Sequence, residues 1–179
     1  MAILLNVPQL DEILAPHAEA LGRDLVAYRN HAHRVVNFCV ALAGSDPERL
    51  RKLAIAAAFH DLGIWTAGTF DYLDPSVELA QAWLSAHHLS DWSAEIEMMI
   101  RQHHKLSRYR DDPAGLVEAF RQADTIDVTL GIRRFGVPAH FLRAVFRTFP
   151  NAGFHRRLVK LTLNRLVTHP LSPLPMYRL

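Results

Sequence analysis

The chain has one cysteine, Cys39, in 179 residues, so neither an intramolecular disulfide nor a cysteine-rich zinc site can be built, and a reducing cytoplasm is the expected setting. No run of residues approaches the roughly 18–20 apolar positions a membrane span requires. The opening, Met1 to Pro8, is short and soon acidic at Asp11 and Glu12, unlike a signal peptide. Alternating strand patterns of useful length are missing, as are internal repeats and low-complexity linkers. Neither a Gly-x-x-x-x-Gly-Lys phosphate loop nor a Gly-x-Gly-x-x-Gly dinucleotide turn occurs, and His-Glu-x-x-His and Glu-x-x-His are absent too. Acid is missing from the whole last part. Residues 128–179 carry nine Lys+Arg and no Asp or Glu, whereas residues 1–127 carry eleven Lys+Arg and all eighteen acids. That asymmetry points to an anionic substrate or partner.

Histidine is abundant instead. There are eleven, six of them paired as His31/His33, His87/His88 and His103/His104. The chain reads as an all-α, single-domain multi-helix bundle over residues 1–179. A motif-bearing core spans about 24–130, basic C-terminal helices about 131–169, and a proline-rich tail 170–179. A first helix is expected over Asp11–Leu21, stopped by Gly22. Asp24 is expected to cap a longer one whose inward stripe holds Leu25, Tyr28, His31, Val35, Phe38, Cys39 and Leu42. His33, two residues past His31, faces elsewhere. Ser45 and Glu48 form a candidate capping box around Pro47. The next helix, apolar from Leu53 to Phe59, ends at His60-Asp61.

Residues 62–73 hold two glycines and no helical stripe, and read as a loop. Asp74-Pro75 restarts a helix carrying Val77, Ala80, Leu84 and His87. Ser90–Ser93 caps another with Trp92, Ile96, Met99, Ile100 and His103. Asp111-Asp112-Pro113 opens a third, through Leu116, Phe120 and Ala123 to Asp124 and Asp127. A short helix near 138–149 and a last one near 151–168 complete the chain. Phenylalanines and arginines interleave there, which suits nucleic acid; a helical core with a basic surface explains the same pattern and is preferred.

Each inward stripe therefore delivers polar residues to an apolar face: His31, His60 with Asp61, His87, His103, and Asp124 with Asp127. A single histidine on such a face is ordinarily a hydrogen-bonded core residue. Five helices doing the same is the pattern of a metal site built from side chains projecting into a bundle. Imidazole and carboxylate donors without thiolate suit a catalytic divalent ion.

His31-Ala32-His33-Arg34-Val35, His60-Asp61-Leu62-Gly63 and Ala123-Asp124-Thr125-Ile126-Asp127 together resemble the HD-domain metal-dependent phosphohydrolases, in the family's order and over residues 24–130. The resemblance implies His31, His60, Asp61 and Asp124 as ligands of a divalent metal (Mn, Fe, Co, Ni, Zn or Mg), with Asp61 also orienting the nucleophile. His103 and His104 look like the extra histidines of members that bind a second ion. From the stripes, the first of each pair, His87 and His103, is expected at the pocket as a second-metal ligand or substrate contact. Where many members continue His-Asp-x-Gly-Lys, this chain has Ile64, so the charge that meets phosphate must come from elsewhere. Arg34, Lys105, Arg121 and the acid-free stretch after Asp127 are the candidates. Asp127 either orients a ligand from behind, with Arg121 beside it, or is an exposed acid at a helix end, and each of the three cations taken singly fits a solvated helix face or an Arg–Asp pair as well.

The resulting expectation is an enzyme: a cytoplasmic metal-dependent hydrolase of a phosphate ester, its substrate a small phosphorylated metabolite such as a nucleotide. No membrane partner is expected, and nucleic acid is the less favoured one. Two alternatives stay open. One is an HD-like module that binds a nucleotide or nucleic acid without turnover; the other is a metal-dependent oxygenase or lyase on the same scaffold.

Overall fold

The computed structural model describes residues 1–172 and 174–176. The helices are α1 (Pro8–Leu14), α2 (Ala18–Leu21), α3 (Leu25–Ala43), α4 (Pro47–Phe59), α5 (Gly63–Thr66), α6 (Leu73–Ala86), α7 (Ser93–Gln102), α8 (Leu116–Val128), α9 (Ala139–Thr148) and α10 (Phe154–Thr168). Short 3-10 turns join α1 to α2, α2 to α3 and α6 to α7, and among the described residues there is no strand. The fold is all-α, as the periodicities predict.

Helix α3 runs through the middle and packs against α8, α4, α1, α9 and α10, while α7 closes the space between α4, α6 and α8. Because it is enclosed on all sides, α3 buries more than its apolar stripe. Asn30, His31, His33, Arg34 and Asn37 are all buried beside Tyr28, Val35, Phe38 and Cys39. Most of their polar atoms find a partner, as burial demands. Asn30 donates to the Pro150 carbonyl, and Asn37 donates to the Leu4 and His33 carbonyls while accepting from the Leu4 amide. His33 does face away from the other histidines, but not toward solvent. It stacks on Phe149 and reaches Asp11.

Several helix starts differ from the sequence expectation. Pro16 has no N–H to give, and the first helix breaks there into α1 and α2. The cap of α4 is Asp46, which accepts from the Arg49 amide, rather than a Ser45/Glu48 box. Asp24 does not cap α3; its carboxylate accepts from Trp65 Nε1 and pairs with Arg157. The 62–73 segment contains the four-residue α5. Ser90 lies in a 3-10 turn, and α7 begins at Ser93 without a side-chain cap. Helix α8 starts at Leu116, three residues beyond Pro113, because Gly115 turns the chain with φ +75°; Asp112 still accepts from the Glu118 amide. The expected irregular tail holds for 169–172 and 174–176, while Pro173 and residues 177–179 lie outside the described residues.

Two contacts position the end of α4. The Tyr28 hydroxyl on α3 donates to the Ala58 carbonyl and accepts from the Asp61 amide. Gly63 lets the next segment close over it: a Cβ there would stand 2.6 Å from the Tyr72 carbonyl and 2.9 Å from Ser76 Oγ. Only glycine tolerates that approach.

Candidate metal centre

His60 and His103 are built the same way. Each is the first residue past a helix, α4 and α7 respectively, and each turns its ring back so that Nδ1 donates to a carbonyl three residues earlier. His60 uses Ala57 at 3.0 Å and His103 uses Ile100 at 2.6 Å. His31 donates its Nδ1 proton to Asp127 at 2.6 Å. A neutral imidazole has one N–H, so once Nδ1 carries it, Nε2 presents a lone pair. Three histidines are thus fixed in the tautomer that ligates through Nε2, each by a partner behind the ring.

Those lone pairs converge on two carboxylates. His31 Nε2 lies 2.9 Å from His60 Nε2, and the two stand 3.8 and 3.4 Å from Asp61 Oδ2. Asp124 Oδ1 is 3.6 Å from His31 Nε2 and 3.9 Å from His60 Nε2. On the other side, Asp61 Oδ1 is 3.4 Å from His103 Nε2, and Asp124 Oδ2 is 3.9 Å from His104 Nδ1. Two groups capable of holding an ion result, His31/His60/Asp61 and Asp61/His103/His104, each with its donor atoms within 4.8 Å of one another. They share Asp61. Neighbouring donors on a common ion with bonds near ~2.1 Å are separated by about 3 Å, so the spacing fits.

The hydrogen bonding fits as well. Asp61 Oδ1 and His103 Nε2 are buried and make no hydrogen bond among the described residues. Leaving such groups unmet costs roughly 1–3 kcal/mol, and more where charge is involved. A divalent cation is the partner that satisfies a carboxylate oxygen and an imidazole lone pair together.

Protonation obeys the same geometry. Burial pushes the His60 imidazole down to about 3, so it is neutral. Burial, then the neighbouring His103, holds His104 well below the usual histidine range. Burial opposes a charge on His103 too, but Asp61 and Asp124 outweigh it and raise its pKa. A proton on His103 Nε2 and a metal ion compete for the same two carboxylates, so metal binding there is coupled to proton release. Burial, with Asp61 and Asp127 adding, lifts the Asp124 carboxyl to about 6. Burial also disfavours charge on Asp127, yet hydrogen bonds from Arg34 and His31 keep it ionised.

Four of the five expected contributions come together: His31, His60 with Asp61, His103, and Asp124 with Asp127. His104 joins them although it lies one position round from the stripe, because α7 ends at Gln102 and helical periodicity no longer governs the residues beyond it. His87 does not join. It is exposed at the end of α6, stacked on Trp83 at 3.8 Å with Nδ1 on the Trp83 carbonyl. Arg34 is not available to a substrate either. It is 0% exposed, with Nε and one terminal nitrogen on Asp127 and the other on the Phe149 and Pro150 carbonyls. Its charge is consumed in holding Asp127 behind His31. Arg121 sits at the centre's edge, but its guanidinium is taken by Glu118 and the Lys105 carbonyl.

A cavity of about 250 Å³ opens onto His103, His104 and Asp124, with Lys105, Arg121, Thr125, Thr129 and Arg133 around it. Among the described residues neither Lys105 nor the Arg133 guanidinium has an acidic partner. Sequence reasoning missed Arg133 as an individual and missed Tyr72. The Tyr72 hydroxyl is buried and 2.6 Å from His104 Nε2; in the tautomer where Nε2 donates to it, the His104 Nδ1 lone pair faces Asp124. The signal for Tyr72 was Gly63, whose missing side chain admits the Tyr72 segment.

Comparison with protein-family models, with curated proteins and with solved structures finds no match to this chain. The helical fold with its buried His/His/Asp cluster is compatible with an HD domain. No helix is long and apolar enough to cross a membrane, among the described residues.

Proposed function

We propose that the chain is a metal-dependent hydrolase of a phosphate ester, of the HD-domain kind, acting on a small nucleotide or related phosphorylated metabolite. The observation that carries this reading is the set of three histidines locked by their Nδ1 atoms with Nε2 turned toward Asp61 and Asp124. His31, His60, Asp61 and Asp124 would hold one ion, and Asp61, His103 and His104 a second. A divalent metal supplies a Lewis acid for a phosphoryl oxygen and a water of lowered pKa. The protein's own groups do the rest. Asp61, ionised, orients the nucleophile. Lys105 and Arg133, unpaired at the cavity mouth, bind phosphate oxygens in place of the lysine that Ile64 replaces. Asp127, braced by Arg34, keeps His31 in its ligating tautomer, and Tyr72 does the same for His104.

A second reading rests on one observation, that Asp61 is shared by both donor groups. Were both groups to hold iron, Asp61 would serve the two, and the irons would supply redox chemistry toward oxygen, so oxidative cleavage would be open as well as hydrolysis. The test is metal analysis of the purified chain followed by a screen of phosphomonoesters, phosphodiesters and nucleotides with Mn, Co, Ni, Mg and Zn, and an aerobic arm with ferrous iron. Metal-dependent phosphate release, lost in Asp61→Ala, supports the hydrolase. Oxygen-dependent turnover with iron alone supports the second reading. A metal-loaded protein that turns over nothing, yet binds nucleotide or RNA with steep salt dependence, is a binding module.

A further inference from the structure

The acid-free C-terminal part supplies a second cluster of cations at residues that do not line the cavity of the metal centre. A cavity of about 260 Å³ lies between the turn at Arg23 and Asp24 and the start of α10, lined by Arg23, Arg156, Arg157 and Lys160 with Ala152 and Gly153. Asp24 is the one acid among the lining residues, and its Oδ2 is already engaged, 3.0 Å from Trp65 Nε1 and 3.0 Å from Arg157 Nε. Among the described residues Arg23, Arg156 and Lys160 have no ion-pair partner. Positive groups from two separate elements thus converge on one concavity with a single counter-charge, Asp24, whose Oδ2 is already engaged. Like charges so arranged repel unless an anion sits between them.

We propose that this cavity is a binding site for a small oligo-anion, a compound with two or more linked phosphate groups, distinct from the cavity that opens onto His103, His104 and Asp124. Arg156, Lys160 and Arg23 supply its contacts, and Arg157 stands beside Asp24, its Nε 3.0 Å from Oδ2. A multivalent anion suits the site better than a single phosphate because three unpaired cations line it and guanidinium groups bind phosphate oxygens in pairs. Its position also joins it to the metal centre. In the same turn of α10, Phe154 stacks on the His31 ring at 4.0 Å and His155 Nε2 donates to the Asp127 carbonyl at 3.0 Å. Arg156 and Arg157 come directly after those two in the chain, and Lys160 follows one turn later. This inference does not depend on the hydrolase reading, since it concerns binding at other residues.

The test is titration of the whole, metal-free chain with tripolyphosphate at constant ionic strength, read by calorimetry and by fluorescence of Trp65, whose Nε1 bonds the Asp24 that lines the cavity. A Trp83→Phe, Trp92→Phe background isolates that signal. Saturable binding with a Trp65 response is expected, weakened at least ~10-fold in Arg156→Gln/Lys160→Gln because two charge-assisted hydrogen bonds are lost. Both residues are exposed, so circular dichroism of the variant should match the parent chain. Equal binding by the double variant, a titration that leaves Trp65 silent, or a response that sodium chloride of the same ionic strength reproduces would each overturn the proposal.

Discussion

The Nε2 atoms of His31 and His60 face each other at 2.9 Å, and each ring has already committed its Nδ1 proton, to Asp127 and to the Ala57 carbonyl. With both rings neutral, two lone pairs at that distance repel, and only a second proton on one ring or a cation between them relieves it. A cation between them and the Asp61 and Asp124 carboxylates removes the repulsion. The purified chain should therefore contain a divalent metal, and stripping it should lower the midpoint of thermal unfolding. At a hundredfold excess of free ion over its Kd the gain is about 2.7 kcal/mol. Asp61→Ala should lose both the metal and the metal-dependent rise in Tm while keeping its helical circular dichroism. A variant that retains stoichiometric metal would remove Asp61 from the centre.

Asp127 is buried between a guanidinium and an imidazole, with 0% of its side chain exposed. Asp127→Asn leaves the buried Arg34 charge uncompensated, which costs about 3–5 kcal/mol. It also offers His31 an amide in place of a carboxylate, so metal affinity should fall by roughly 10–100-fold. Urea unfolding and competition with a chelator measure the two effects separately. Arg34→Gln should likewise destabilise the fold, and should not act as the loss of a substrate contact.

Lys105→Gln and Arg133→Gln should behave in the opposite way. Both side chains line the cavity over Asp124 without an acidic partner, so neither variant should lose metal or stability. Each should raise KM or lower kcat, by an amount near ~10-fold for one charge-assisted hydrogen bond. Unchanged kinetics in both would place the phosphate elsewhere.

The doubled histidines give an internal control. His104→Ala should weaken metal binding because its Nδ1 faces Asp124 across 3.9 Å. His87→Ala, at an exposed site stacked on Trp83, should leave metal content and affinity as they are. Equal losses in the two variants would contradict the arrangement.

Acid should unfold the metal-free protein through His60. Its folded pKa, about 3, lies below the ordinary value of 6.5, so between those values the unfolded chain binds a proton that the folded chain does not. Stability then rises with pH across that window and is lost as pH falls from about 6.5 toward 3. Asp124 acts against this. Raised from 3.8 to about 6, it binds its proton more tightly when folded, contributing stability below 3.8 that disappears as pH rises through 6. Asp124→Asn removes the opposing contribution, so its urea midpoint should fall more steeply with acid than the parent's. A parallel pH profile would show that Asp124 does not titrate in that range.

Much of this protein is determined by its sequence alone. Apolar residues at three- and four-residue spacing, broken by glycine and proline, specify helices because backbone hydrogen bonding is local. The same periodicity puts His31, Asp124 and Asp127 on inward faces, and the apolar run before His60-Asp61 carries that pair into the interior. Helix starts were less legible, since Asp24 and Ser45 could cap by type but the tertiary fold assigned Asp24 to Trp65 and Arg157. Periodicity says which face of a helix is covered and is silent about what covers it. Only packing decided that Arg34 is spent on Asp127, that His87 stacks on Trp83 past the end of its helix, and that Tyr72 reaches His104 over Gly63. The Arg34–Asp127 and Tyr72–His104 contacts join residues 93 and 32 positions apart, a distance no local pattern encodes, and His87 meets Trp83 four positions back only because the helix ends there.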